Sequence, residues 1–225
     1  MRSIKPGEGS VGKALFGHLR VGIKNGLYSL IALFFLGILK VIFRVQVVGR
    51  ENIRERDEYI AVARHRSYWD IPVVTVAIGV STRVHYISRN GLMRGVPIVQ
   101  SVIRMYSTII DRENFGRNDF RKVLTAMKQH RIVGLFPEGT TRGRVDAKAG
   151  AIHFARLSSK RILPVNIKAT GPYPPKYPFR FPRLTVSIGE PFSISDLQAD
   201  GGDGETRAEQ HRRMSEQLML RVDNA

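Results

Sequence analysis

An α/β fold, one domain built on a mixed, largely parallel sheet flanked by helices, is what the sequence predicts. Three observations predict it. From residue 44 onward, short apolar runs alternate with longer amphipathic ones, the pattern of strands and helices in βα units. The 225 residues suffice for one sizeable domain with its own core. The first 43 residues stand apart from the alternation: they are basic, then strongly apolar. The expected division is membrane-anchoring helices over 1–43 and the α/β domain over 44–225.

The N-terminal segment comes first. Val11, Leu15, Leu19 and Ile23 recur at four-residue spacing, with Lys13, Arg20 and Lys24 on another face. That pattern predicts a short basic amphipathic helix suited to an anionic membrane surface. Asn25-Gly26 predicts a break, and the apolar run Leu27 to Leu39 then predicts a second helix, with Lys40 interrupting it before Val41-Ile42-Phe43. The run is marginal for crossing a bilayer, which takes about 20 residues. No small-x-small cleavage site follows it, and Lys40 and Arg44 do, which argues against a cleaved signal peptide. A spanning helix, a buried core helix and a helical pair dipping into one leaflet remain, and the short second helix fits the pair. Gly7 to Lys13 mimics a phosphate-binding loop, but Ala14 brings no hydroxyl for Mg²⁺ and no strand precedes it.

Beyond Phe43, strands are expected near 45–49, 59–63, 84–88, 106–110, 132–136, 162–168 and 183–188. Helices are expected near 71–79, 95–104, 117–130, 147–159 and 205–222. Pro172 to Pro182 is a Pro-rich loop carrying Tyr173, Tyr177, Phe179 and Phe181, suited to packing at a membrane or on substrate, or to acting as a rigid connector. The acidic, Gly-rich run Asp200 to Glu205 predicts a linker to the last helix.

The formal net charge of +17 and a pI near 10.8 point to a polyanionic partner. Nucleic acid is one such partner. However, the positive residues are spread along the chain, and no recognition aromatics, zinc finger or basic zipper is present. An anionic membrane or a phosphorylated substrate fits better. With no cysteine, a disulfide framework and a thiolate nucleophile are both excluded. The six histidines form no metal-binding spacing, so no metal or other cofactor is expected.

The candidate chemistry begins at His65-Arg66-Ser67-Tyr68-Trp69-Asp70, just after the apolar run Tyr59 to Ala63. On one helix, a five-residue offset turns by about 140° and separates the two side chains. At a strand-to-helix turn they can meet, with Asp70 as the expected N-cap and Pro72 in the first helical turn. A histidine held by an aspartate is how a general base is built. A capping aspartate beside a surface histidine is the plainer alternative. Ser67 raises a serine hydrolase, but the chain holds no Gly-x-Ser-x-Gly elbow, so Ser67 is expected to hydrogen-bond within the turn. Arg112 ends another apolar run, Ile109-Ile110-Asp111, where its guanidinium can hold a phosphate or pair with Asp111. Phe136-Pro137-Glu138-Gly139-Thr140-Thr141-Arg142 ends a third strand in a tight turn. Glu138 there can hold a hydroxyl or organise the backbone. Leu163-Pro164-Val165-Asn166-Ile167 reads as a further apolar strand, explained as core.

Taken in order, His65-x4-Asp70, Ile109 to Arg112, Phe136 to Arg142 and Leu163 to Ile167 resemble the four sequence blocks of the glycerolipid acyltransferases. Within that family they resemble the bacterial 1-acyl-glycerol-3-phosphate (lysophosphatidate) acyltransferases. The resemblance covers roughly residues 48–190. It implies transfer of a fatty acyl group from acyl-CoA or acyl-carrier protein to the free hydroxyl of lysophosphatidate, giving phosphatidate. His65 is the implied base and Asp70 its orienter; Arg112, Glu138, Gly139, Thr140 and Arg142 are implied to bind the acceptor's phosphate and glycerol. The family carries an N-terminal membrane-embedded helical pair, which selects that reading of residues 1–43. The implied location is peripheral or monotopic on the cell membrane, with the catalytic domain on the cytoplasmic side. Two residues depart from the family pattern: Arg64 replaces the common Asn before the histidine, and Thr141 displaces Arg142 by one. Both bear on the acceptor more than on the reaction. Arg64 sets a positive charge beside the base, where it opposes the imidazolium or binds a phosphate. Transfer to another lysophospholipid or to glycerol-3-phosphate, and a non-catalytic basic phospholipid-binding protein, are the alternatives.

Overall fold

The computed structural model describes residues 8–91, 96–138, 150–178, 180–198 and 206–225. The expected side chains Gly139, Thr140, Thr141, Arg142 and Phe179, and the linker 200–205, lie outside the described residues, as do the side chains of the amphipathic stretch up to Arg20 apart from Leu19.

All seven expected strands form: β1 (Gln46–Val48), β2 (Tyr59–Ala63), β3 (Val84–Arg89), β4 (Ser107–Ile110), β5 (Ile132–Leu135), β6 (Arg161–Thr170) and β7 (Arg183–Ile188). They make one sheet in the order β1-β7-β6-β2-β5-β3-β4. Every pairing is parallel except β6 with β7. The helices are α1 (Glu8–Val41), α2 (Asp70–Ile78), α3 (Pro97–Tyr106), α4 (Arg117–Gln129), α5 (Gly150–Ser158), α6 (Ser195–Gln198) and α7 (Arg207–Asp223). The 3₁₀ turn Arg50–Asn52 and the short α6 carry no hydrophobic period and escape the sequence pattern.

The central strand β2 is buried on both faces, which is why it reads as an unbroken apolar run. Its residues alternate between two cores. Tyr59, Ala61 and Ala63 pack with Leu39, Phe43, Val73 and Val74 on the side of α1 and α2. Ile60 and Val62 pack with Met127, Ile152, Met214 and Leu218 on the side of α4, α5 and α7. The C-terminal ends of β2, β4 and β5 open together at the top of the sheet, where a parallel α/β sheet places its ligands.

The N-terminal segment differs from expectation. One helix of 34 residues runs through Asn25-Gly26, in place of two. A glycine inside a helix costs about 1 kcal/mol, too little to break one held on both sides. Tyr106 donates to the Lys24 carbonyl at 2.9 Å, just before the glycine. Tyr28, just after it, donates to the Thr82 carbonyl at 3.1 Å and accepts the Val84 amide at 3.0 Å. The second half of α1 is therefore docked on the domain: Tyr28, Ala32 and Leu39 are buried, as is Phe43 just beyond the helix. Leu27, Leu30, Leu33, Phe34 and Val41 face outward on the other side.

Candidate active site

His65 lies two residues beyond the end of β2, in a turn that Asp70 closes as the first residue of α2. Asp70 is not the N-cap; Trp69 holds that position and makes no side-chain cap bond. The Asp70 carboxylate reaches back into the turn instead. Its Oδ2 accepts the amides of Arg66 at 2.6 Å and Ser67 at 2.7 Å, and lies 3.2 Å from His65 Nδ1. Its Oδ1 accepts the hydroxyl of Tyr173. Burial, and then the neighbouring carboxylate, push that phenol well above its usual range, so Tyr173 stays protonated and donates. The carboxylate only accepts, so Nδ1 carries the proton and Nε2 keeps its lone pair. The Trp69 amide donates to Ser67 Oγ at 3.2 Å, so the hydroxyl serves the turn as expected.

Phe136, just beyond β5, stacks on the His65 ring at 4.5 Å between centroids with 24° between planes. The same Phe136 lines a cavity of about 280 Å³ together with Arg112, Ile110, Phe115 and Phe154. The structure thus brings two of the expected blocks to a shared aromatic ring. Burial, and then the charge of Arg89, lower the Arg112 pKa.

Glu138 is 3 % exposed, and both its oxygens are occupied within the protein. Oε1 accepts from Arg64 Nη1, and Oε2 accepts the His65 amide at 3.0 Å. Of the two roles open to Glu138 in the sequence, this geometry fills the second, organising the backbone. Arg64 turns away from His65: its Nε and Nη2 each meet a carboxylate oxygen of Asp223 at 2.6 Å. Asp223, and then Glu138, hold the guanidinium charged more firmly than usual. Arg64 is committed to these carboxylates, neither aimed at the imidazole nor waiting for a phosphate.

A larger apolar cavity of about 620 Å³ opens beside the turn, between α1, α2, α3 and β3. Tyr28, Phe35, Trp69, Pro72, Val102 and Tyr106 contribute to its wall. Its size suits a ligand of lipid or drug dimensions. Sequence reasoning missed it, although a signal existed. Val99, Val102, Ile103 and Tyr106 form a stripe at i, i+3, i+4, i+7, yet no residue of α3 is buried, so the stripe faces the void. Tyr173 and Asp223 were also missed, because their roles depend on contacts 103 and 159 residues away in the chain. The structure shows no cluster of metal-ligating side chains among the described residues.

The acyltransferase family model matches residues 44–168. The 1-acyl-sn-glycerol-3-phosphate acyltransferase of Bacillus subtilis (strain 168) is 28 % identical over 170 residues, covering 73 % of this chain and 83 % of that protein. The enzyme of the same name from Streptococcus pneumoniae (strain ATCC BAA-255 / R6) is 31 % identical over 157 residues, covering 68 % of this chain and 58 % of that protein. The crystal structure of the 1-acyl-sn-glycerophosphate (LPA) acyltransferase PlsC from Thermotoga maritima superposes with a TM-score of 0.66 at 23 % identity, over 96 % of this chain and 88 % of that one. At that identity the likeness is one of fold.

Proposed function

The chain belongs to the acyltransferase family, and from that premise we propose that it acylates 1-acyl-glycerol-3-phosphate to phosphatidate, a step of phospholipid synthesis. The donor is a thioester, acyl-CoA or acyl-carrier protein. The observation that carries the reading is the His65 imidazole with Nδ1 held by a fully buried Asp70, at the open end of the sheet, in a chain similar to two enzymes of that name. His65 Nε2 takes the proton of the acceptor hydroxyl as its oxygen attacks the thioester carbonyl. The C–S bond then breaks, and the thiolate leaves with the proton that the imidazolium returns. Asp70 fixes the tautomer and stabilises the transient imidazolium. General base catalysis of this kind contributes about 10² to 10⁴ in rate.

Arg112 binds the acceptor phosphate in this reading, with Gly139, Thr140 and Arg142 completing the acceptor site on the strength of the family resemblance. The 620 Å³ cavity holds an acyl chain, and its position against Trp69 supports this. Arg112→Ala is expected to raise the apparent acceptor KM about 10- to 100-fold, the worth of a charge-assisted hydrogen bond. Steady-state kinetics with each substrate varied in turn check this. A rise confined to the donor KM would move Arg112 to the other substrate.

Residues 21–41 are apolar enough and long enough to cross a bilayer, with mean hydropathy 1.6. However, the same helix docks through Tyr28, Ala32 and Leu39 on the α/β domain, which cannot enter hydrocarbon with it. The reading is therefore a single helix lying in one leaflet, outward face down, with the domain on the cytoplasmic side where the donor is found. Because burial of Leu27, Leu30, Leu33 and Phe34 dominates over charge, the protein is expected to stay on membranes in molar salt. Release by salt alone would contradict an embedded helix.

The test of the function is a labelled acyl donor with purified protein and a panel of lysophospholipids and glycerol phosphates. Phosphatidate from 1-acyl-glycerol-3-phosphate is expected to dominate. Preference for glycerol-3-phosphate or for a zwitterionic lysolipid would overturn the acceptor.

A further inference from the structure

We propose that Asp223, at the end of α7, is a positioning residue for the reaction, acting on His65 through Arg64 and Glu138. The proposal rests on the reading of His65 as the base. Glu138 is a buried carboxylate on the catalytic turn, and a buried charge persists only with partners. One partner is the His65 amide, and the other is Arg64 Nη1. Arg64 is fixed in turn by Asp223, through a two-pronged contact from Nε and Nη2, both at 2.6 Å. Such a fork fixes orientation as well as charge. The Asp223 end is anchored to the core. Asn166 on β6 donates from Nδ2 to the Asp223 carbonyl. Met214, Leu218 and Val222 bury α7 in the core. The last helix therefore holds the backbone of the catalytic histidine, which lies on the far side of Arg64. An uncharged side chain at position 64 would have no cationic fork with which to make this link.

The set also has an electrostatic consequence. Asp223, Arg64 and Glu138 together carry one net negative charge. The other charged and titratable groups at the turn are Asp70 from α2, with Tyr173 behind it, and Arg66, whose guanidinium lies over the Tyr173 ring. Removing the Asp223 charge leaves Arg64 and Glu138 neutral as a pair, so the imidazolium loses support.

Asp223→Asn keeps the shape and removes the charge. It is expected to lower kcat about 10- to 100-fold, the cost of a misplaced catalytic group, with both KM values little changed. The acid limb of the pH–rate profile is expected to move to lower pH, because one negative charge is removed from the set that holds the His65 amide. The His65 ring titration followed by NMR, assigned with His65→Ala, should shift the same way without any substrate. Asp223→Glu retains the charge and is expected to recover part of kcat with the acid limb unmoved. In Arg64→Met, adding Asp223→Asn should cost little more, because the two act in series. If folded Asp223→Asn keeps wild-type kcat and an unmoved His65 titration, the proposal is wrong. A loss of kcat that tracks melting temperature alone, with no movement in the titration, would also overturn it. If the titration shifts but the wild-type protein makes no phosphatidate, the positioning stands and the proposed reaction falls.

Discussion

Purified His65→Ala is expected to make phosphatidate at least 10²- to 10⁴-fold more slowly than the wild-type protein while remaining folded and membrane-bound. The loss is chemical because no other described side chain stands where Nε2 does, with a carboxylate fixing its opposite nitrogen. It is not structural because the imidazole is no core pillar. Its side chain is 16 % exposed, and its main packing partner is the face of Phe136. The turn itself is held by backbone bonds that survive the change, from the amides of residues 65, 66 and 67 to Glu138 and Asp70. Initial rates together with a thermal melt and a membrane pelletation separate the two effects. Near wild-type turnover in folded His65→Ala would remove the proposed base.

Asp70→Asn should be nearly as damaging, and for two reasons that can be told apart. An amide can keep its carbonyl where Oδ2 accepts the two turn amides and the His65 ring. Its NH₂ must then face Tyr173, whose hydroxyl has to reverse from donor to acceptor. The fold therefore survives with a lower melting temperature. The charge that stabilises the imidazolium does not survive, and the equivalent change in serine protease triads costs about 10⁴-fold in kcat. Asp70→Ala would orphan every one of those donors, at about 1–3 kcal/mol each, and is expected to fail to accumulate as folded protein. Unchanged kcat in Asp70→Asn would reduce Asp70 to a structural residue of the turn.

The sequence carried the sheet well because its signals are local. Most strands are short β-branched or apolar runs bounded by polar or Gly/Pro residues, and the buried β2 reads as a continuous apolar stretch. His65 and Asp70 were legible for the same reason: five residues and one turn bring them together. The glycine at 26 misled because propensity is a weak prior. Its penalty is smaller than the anchoring that Tyr28 and Tyr106 give to either side of it. Asp70 misled as a cap because a carboxylate that can reach back to amides on its N-terminal side satisfies more donors there. The roles of Tyr173 and Asp223 were not legible. They arise where separate elements meet in space, and no periodicity records such a meeting. The large cavity left one trace, the apolar stripe of α3.

Acyl transfer driven by His65, from a thioester to the hydroxyl of lysophosphatidate, couples thioester cleavage to phosphatidate formation. Its most direct test follows thioester cleavage and phosphatidate formation together, in wild-type protein and in His65→Ala, with acyl-CoA and acyl-carrier protein as alternative donors. Wild-type protein is expected to form one phosphatidate for each thioester broken, with no acyl group retained on the protein, and His65→Ala to do both at least 10²-fold more slowly. Release of free fatty acid in place of phosphatidate, or an acyl group trapped on Ser67, would contradict this expectation.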